Sequence, residues 1–371
     1  MKKRILGVIC GLTLACMTLS ACGSDENDAS AVMEETADTT VEDAEETPIE
    51  EVAEESEEEA EAQVEEESLE RTGVTVRIGA MSGPTAMGMV KLMEDSENSL
   101  TANDYEFAEL ATEASAFVAP LTTGELDIAA IPSNLASNVY NKTEGGVKVL
   151  ATNTLGVLYL LERGETVNEW ADLKGKTIYA TGAGAVPEYT IRYLLSSNGL
   201  DPDSDVQIQW CSDTTEALSY ITQAEGAIAI LPQPFVTAAK AQVEDLRVVF
   251  DLNEQWDLLD TGCNIVTGVV VVRTEFADEH PEAVQAFLKE YEESLNYSLD
   301  NTEEASQLIE KYGIVAKAAV AKAALPNCHL AFKSGDDMKQ ALEGFLTILY
   351  EQNPQAVGGN LPGDDFYYGA N

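Results

Sequence analysis

The chain has 371 residues, 66 of them acidic and 21 basic, for a formal net charge of −45. That balance speaks against nucleic-acid binding, which calls for basic patches, and against direct docking on anionic lipid. With two histidines and six widely spaced cysteines, a histidine-based triad or a zinc site has little material.

Lys2, Lys3 and Arg4 form a positive leader, and the apolar run Ile5 to Leu14 is too short to span roughly 30 Å of hydrocarbon. Leu19-Ser20-Ala21-Cys22-Gly23-Ser24 then resembles a bacterial lipobox. The resemblance implies a signal over residues 1–22, lipidation at Cys22 and a lipid-anchored, extracytoplasmic location. Residues 23–70 hold 22 Asp or Glu, no Lys or Arg and no aromatic residue. Such a stretch buries too little apolar surface to offset ordering entropy, so a disordered acidic linker is expected. Residues 71–371 keep 44 acids and 18 bases, a net charge of about −26.

Strands and helices alternate from there. Val74 to Gly79 reads as a strand, and Gly83-Pro84-Thr85 opens a helix carrying Met89, Leu92 and Met93. Tyr105 to Leu110 is a strand, followed by a helix through Phe117 and Leu121. Asp127 to Ile131 is a strand that turns at Pro132-Ser133-Asn134 into a helix near Leu135 to Tyr140. Val147 to Thr152, Leu155 to Glu162 and Thr177 to Ala180 are strands. After Thr181-Gly182-Ala183-Gly184-Ala185 a helix runs from Pro187 to the stop at Asn198-Gly199. Val206 to Trp210 is a strand, and Asp213-Thr214-Thr215-Glu216 has the spacing of a capping box. Ala227 to Leu231, Leu246 to Phe250 and Val266 to Val272 are strands. The C-terminal third reads as helical, with Val284, Phe287, Leu288, Tyr291 and Leu295 in one apolar stripe after His280-Pro281. Repeated β-α units predict mainly parallel sheets covered by helices. Cys10 and Cys16 fall in the leader; of Cys211, Cys263 and Cys328, a Cys263–Cys328 disulfide and buried free thiols are both open.

Three segments carry a family resemblance. Thr123-Gly124-Glu125-Leu126-Asp127-Ile128-Ala129, Asp172-Leu173-Lys174-Gly175-Lys176-Thr177 and Ile230-Leu231-Pro232-Gln233-Pro234-Phe235 stand in the order found in SsuA/THI5-like (NMT1-like) substrate-binding proteins of ABC transporters. Gln233 stands where many relatives have Glu. The resemblance implies an α/β chain of the type 2 periplasmic-binding fold: two lobes, two hinge crossovers and a helical C-terminal part. It divides the chain into residues 71–156 with 267–371 as lobe one and 157–266 as lobe two. The crossovers are expected near Asn153 to Val157 and Thr261 to Gly268.

The function implied is capture of a small organic nutrient in the interlobe cleft for an ABC permease and its ATPase, without catalysis, cofactor or metal. Ligands of open α/β sheets sit outside the carboxyl ends of strands. The candidate contacts are therefore Gly83, Pro84, Thr85, Ser115, Ser133 and Asn134, with Asn153 and Thr154 at the hinge. Thr181, Gly182, Ala183, Gly184 and Gln233 face them from lobe two. None is Lys or Arg, and the nearby charges, Glu113 and Glu188, are acidic. The composition suits a neutral or cationic polar molecule, a nitrogen heterocycle such as a pyrimidine thiamine precursor before an alkanesulfonate, with Tyr159, Tyr179 or Tyr189 as candidates to stack on a ring. A ligand-sensing lipoprotein and an enzyme of the same fold are the rival readings.

Overall fold

A computed structural model of the chain describes residues 70–370. The leader, Cys22 and all but the last residue of the acidic linker lie outside the described residues.

In chain order, β1 (Thr75–Ala80) leads through α1 (Pro84–Met87) and α2 (Val90–Glu97) to β2 (Asp104–Phe107). A 3-10 turn (Ala114–Phe117) and α3 (Val118–Thr123) precede β3 (Ile128–Pro132), α4 (Ser133–Lys142) and β4 (Val147–Thr154). A second sheet starts at β5 (Leu158–Arg163) and continues with β6 (Thr177–Ala180), α5 (Val186–Ser197), β7 (Gln207–Trp210) and α6 (Thr214–Gln223). It closes with β8 (Ile228–Pro232), α7 (Phe235–Lys240) and β9 (Leu246–Asp251). After α8 (Leu252–Asp257) the chain returns through β10 (Gly268–Arg273) and α9 (Thr274–Glu279). It ends with α10 (Pro281–Asp300), α11 (Thr302–Lys311), α12 (Ala318–Ala324), β11 (Leu330–Ser334) and α13 (Gly335–Gln352).

The first sheet has the order β11-β4-β10-β3-β1-β2 and the second β7-β6-β8-β5-β9. The βαβ units pair in parallel, β1 with β2 and β3, and β6 with β7 and β8. The expectation of mainly parallel sheets fails elsewhere. β10 is antiparallel to β3 and β4, β11 to β4, and β5 to β8 and β9. The reason is topological. A covering helix carries the chain back to the start of a parallel neighbour, whereas β5 and β10 are entered from the other lobe. They begin at the end where β3, β4 and β8 stop. The carboxyl ends of β1, β3, β4, β6 and β8 therefore share one side with the starts of β5, β10 and β11.

Two local readings need correction. The helix expected after Gly83 is two helices, α1 and α2, separated at Gly88-Met89. Helix α10 stitches the gap: Ser294 Oγ donates to the Gly88 carbonyl (2.7 Å) and accepts from Leu92 N (3.0 Å), while Ser298 Oγ donates to the Met87 carbonyl (3.2 Å). The C-terminal third also contributes a strand, β11, whose short mixed run Leu-Ala-Phe-Lys-Ser gives no clear period. The α10 stripe is borne out, with Val284, Phe287, Tyr291 and Leu295 buried. At α6 half of the capping box forms: Asp213 Oδ1 accepts from Glu216 N (2.9 Å), but Glu216 reaches Ser212 N and Oγ instead of the cap's own N–H.

One face of the first sheet packs on α10 around Phe287 and Tyr291. Its other face joins a core that continues into the second lobe through Trp256. The Trp256 ring has no exposed surface. It lies 4.8 Å from Tyr193 of α5 and 5.6 Å from Phe345 of α13, and its Nε1 donates to the Cys263 carbonyl (2.9 Å). Cys211, Cys263 and Cys328 are free, which overturns the Cys263–Cys328 disulfide. Cys328 belongs to the α10-side core against Met87 Sδ (3.7 Å), while Cys263 packs with the Trp256 core across the sheet. Burial pushes the Cys328 thiol up to about 12, so it stays protonated and unreactive. Among the described residues no helix is long and apolar enough to cross a membrane.

Candidate functional site

All the predicted contacts but Ser115 lie at strand ends or in the turns and first helical residues that follow them. Gly83 caps α1 at φ 103°, ψ −153°, a region open essentially to glycine alone. Pro84 then takes the first helical position, where a missing N–H costs nothing. The Asn153 amide donates to the Thr85 carbonyl (3.1 Å), tying the loop after β1 to the end of β4. Ser133 N donates to the Thr267 carbonyl (3.0 Å) and Ser133 Oγ to the Val266 carbonyl (2.5 Å), so the start of α4 is held by the returning crossover. Thr267 N in turn donates to the Thr154 carbonyl (2.9 Å), joining the two crossovers. In the second lobe Gln233 N donates to the Val157 carbonyl (3.1 Å). The loop Thr181 to Gly184 follows β6, which lies beside β8 in register Ile178 to Ile228.

Burial sorts these residues. Ser133, Asn153 and Thr154 have at most 1 % of their surface exposed. They are packed hinge residues in this conformation, Ser133 with its hydroxyl spent on Val266. Asn153 Oδ1 and Thr154 Oγ1 have no partner among the described residues. Thr85, Asn134 and Gln233 are also buried, whereas Thr181 is half-buried and Ala183 and Gly184 are exposed. Ser115 is exposed on the 3-10 turn beyond edge strand β2, apart from the hydrogen bonds that tie the other loops together.

Thr85 Oγ1, Asn134 Oδ1, Thr181 Oγ1 and Gln233 Nε2 have no hydrogen-bond partner among the described residues, although the other side-chain or backbone groups of Asn134, Thr85 and Gln233 are engaged. Unlike Asn153 Oδ1 and Thr154 Oγ1, which are sealed from solvent, these four atoms are uncommitted polar groups that solvent still reaches. Glu188 is committed: it accepts from Gly184 N (2.7 Å) and pairs with Arg192 (2.8 Å), which also holds Asp203. The three tyrosines are occupied. Tyr159 stacks on His329 and donates to the Asn327 carbonyl (2.8 Å), Tyr179 stacks on Tyr220 at 4.1 Å, and buried Tyr189 accepts from Asn353 Nδ2 (3.2 Å).

Sequence reasoning missed a polar hinge cluster. His329, at φ 45° just before β11, bonds the Gly156 carbonyl through Nδ1 and lies 3.6 Å from Asp251 Oδ2 through Nε2. Its carbonyl accepts from Leu155 N (3.0 Å), and Asn253 Oδ1 accepts from Gly156 N (3.1 Å). Burial raises the nearby Asp257 carboxyl, with His329 working against it. Trp210, half-buried at the carboxyl end of β7 opposite Ala180, was also missed. Its place beside the Thr181 loop follows from strand pairing, which no local pattern encodes. A separate groove of about 680 Å³ runs along edge strand β2, lined by Tyr105, Phe107 and Tyr312. None of the predicted contacts lines it.

Residues 145–305 match the NMT1/THI5-like family model, so the resemblance drawn from the motifs is borne out, the first motif lying ahead of the matched span. No curated protein matches the chain. Among solved structures, an ABC transporter protein from Parabacteroides distasonis is similar at 23% identity and TM-score 0.65, over 79% of this chain and 98% of that one. The periplasmic aliphatic sulphonate binding protein SsuA from Escherichia coli is similar at 17% identity and TM-score 0.63, over 77% and 90%. The alkanesulfonate-binding protein SsuA from Xanthomonas axonopodis pv. citri, bound to MOPS, is similar at 13% identity and TM-score 0.59, over 78% and 95%. At these identities the likeness establishes the fold: two sheets, two lobes and two crossovers, as in periplasmic binding proteins.

Proposed function

We propose, for a chain with this family match and this two-lobed fold, that it is the solute-binding lipoprotein of an ABC importer, holding a small polar ligand between its lobes without catalysis. The observation that carries the reading is the meeting of strand-end loops from both sheets at two adjoining crossovers, with polar atoms of Thr85, Asn134, Thr181 and Gln233 left uncommitted. The open carboxyl ends of the parallel strands are where such sheets take ligands. Contacts that ligand makes with both lobes favour their closure. Cys22 serves as the lipid anchor, and the acidic linker spaces the lobes from the membrane where the permease and ATPase act.

The predicted contact loops themselves carry no Lys or Arg. That favours an uncharged nitrogen heterocycle, of the pyrimidine thiamine-precursor class, over an alkanesulfonate. The deciding experiment has two arms. Native mass spectrometry of residues 71–371 identifies what copurifies. A thermal-shift panel compares pyrimidines with alkanesulfonates, a ligand at a hundred times its Kd adding about 2.7 kcal/mol. Stabilisation by pyrimidines is expected; stabilisation by alkanesulfonates alone overturns the ligand class, and turnover of the bound compound overturns the reading as a binding protein.

A further inference from the structure

We infer that Gln233 sets the polarity of the ligand group facing the second lobe: its side-chain amide offers donors only, so the ligand presents a hydrogen-bond acceptor there. The inference rests on the interlobe cleft being the binding site. Gln233 Oε1 accepts from Thr237 Oγ1 (2.9 Å) and from Thr237 N (3.3 Å), in the first turn of α7. A backbone N–H can only donate, so the amide oxygen must face Thr237 and the amide nitrogen must face away. The side chain cannot flip without setting two donors against each other.

The outward nitrogen has no acceptor among the described residues. Gln233 is only 4% exposed, yet Nε2 is absent from the solvent-sealed polar atoms that lack partners, so it is an atom that solvent still reaches. The residue's own N–H is fixed to the Val157 carbonyl in the first crossover, which places this donor pair at the hinge side of the second lobe. Solvent pairs this donor in the open cleft, and a ligand that displaces that water must supply an acceptor in its place. A ring nitrogen, a carbonyl oxygen or a sulfonate oxygen meets the requirement. An ammonium or a donor-only amine does not.

Gln233→Glu tests this with little change of shape. One carboxylate oxygen still accepts from Thr237, while the other turns the outward donor into a charged acceptor. The mature chain and the variant are titrated with two probes, 4-amino-5-hydroxymethyl-2-methylpyrimidine at neutral pH and ethanesulfonate. The expected result is that whichever probe binds the parent binds Gln233→Glu at least about tenfold more weakly, a loss of about 1.4 kcal/mol. Gln233→Met, of similar shape and without donors, gives the same direction of loss if the glutamate variant fails to fold. A probe that binds parent and variants equally overturns the donor assignment and leaves the binding-protein reading intact. Failure of both probes to bind the parent overturns the ligand classes and the assignment together.

Discussion

At the scale of single residues, the crossovers meet so closely that one side chain is excluded. A Cβ built on Gly268 lies 2.4 Å from Asn153 Oδ1 and 3.2 Å from Thr154 Oγ1. Both neighbours are buried at the end of β4, so neither has room to yield. Gly268→Ala is expected to lower stability by about 1–3 kcal/mol, measured as a shift in the urea midpoint at constant slope. An unchanged midpoint would show that the crossovers slide apart freely. The glycine was visible in the sequence only as part of a strand, because the atoms that forbid a side chain come from a segment more than a hundred positions earlier.

At the scale of elements, α1 and α2 depend on a helix two hundred residues away. Ser294 Oγ is at once donor to Gly88 and acceptor for Leu92 in a buried setting. Ser294→Ala leaves a buried carbonyl and an N–H unpaired, each worth about 1–3 kcal/mol. A drop in melting temperature is expected, together with faster amide exchange at Leu92; exchange at the parent's rate would refute the stitch. In the second lobe, the fully buried Glu162 lies at one end of the β5–β9 pairing. Burial pushes its carboxyl up, but bonds from Thr166, Val167 and Arg247 outweigh that and hold it below the usual value. A lowered folded pKa contributes stability above the unfolded value of about 4.3, and that contribution disappears as pH falls through the folded value. Glu162→Gln is therefore expected to be less stable than the parent at pH 7 and to show a flatter loss of stability below about pH 4.3. Parallel acid limbs in the two proteins would show that the carboxylate contributes nothing.

At the scale of the whole molecule, the lobes are joined by a shared apolar pivot, Trp256 between Tyr193 and Phe345, and by the polar cluster of His329, Asp251 and Asn253 on the crossover. Motion about that pivot is what the proposed function needs. Small-angle scattering of residues 71–371 is expected to give a smaller radius of gyration with saturating ligand, and an equal radius would mean a rigid pocket. For the proposed anchor, Cys22→Ala is expected to move the protein from the membrane fraction to the soluble one. Equal retention of the variant would remove the lipid tether from the reading.

The sequence by itself determined most of what depends on near neighbours. The strands of the βαβ units, the stop at Gly199 and the α10 stripe follow from period, capping chemistry and composition, all local, while the three motif segments were read by family resemblance. Only the tertiary structure decided which strands run antiparallel, where β11 joins the sheet, that Cys263 and Cys328 stay apart, and that α1 and α2 separate. It alone sorted the candidate contacts into sealed hinge residues such as Ser133 and Asn153 and residues whose free polar atom solvent still reaches, such as Thr181 and Gln233. The physical reason is that a hydrogen-bonding group is spent or spare according to its partner. At this site the partners Val266, Thr85 and Val157 come from other loops and crossovers, brought near by the order of strands in two sheets.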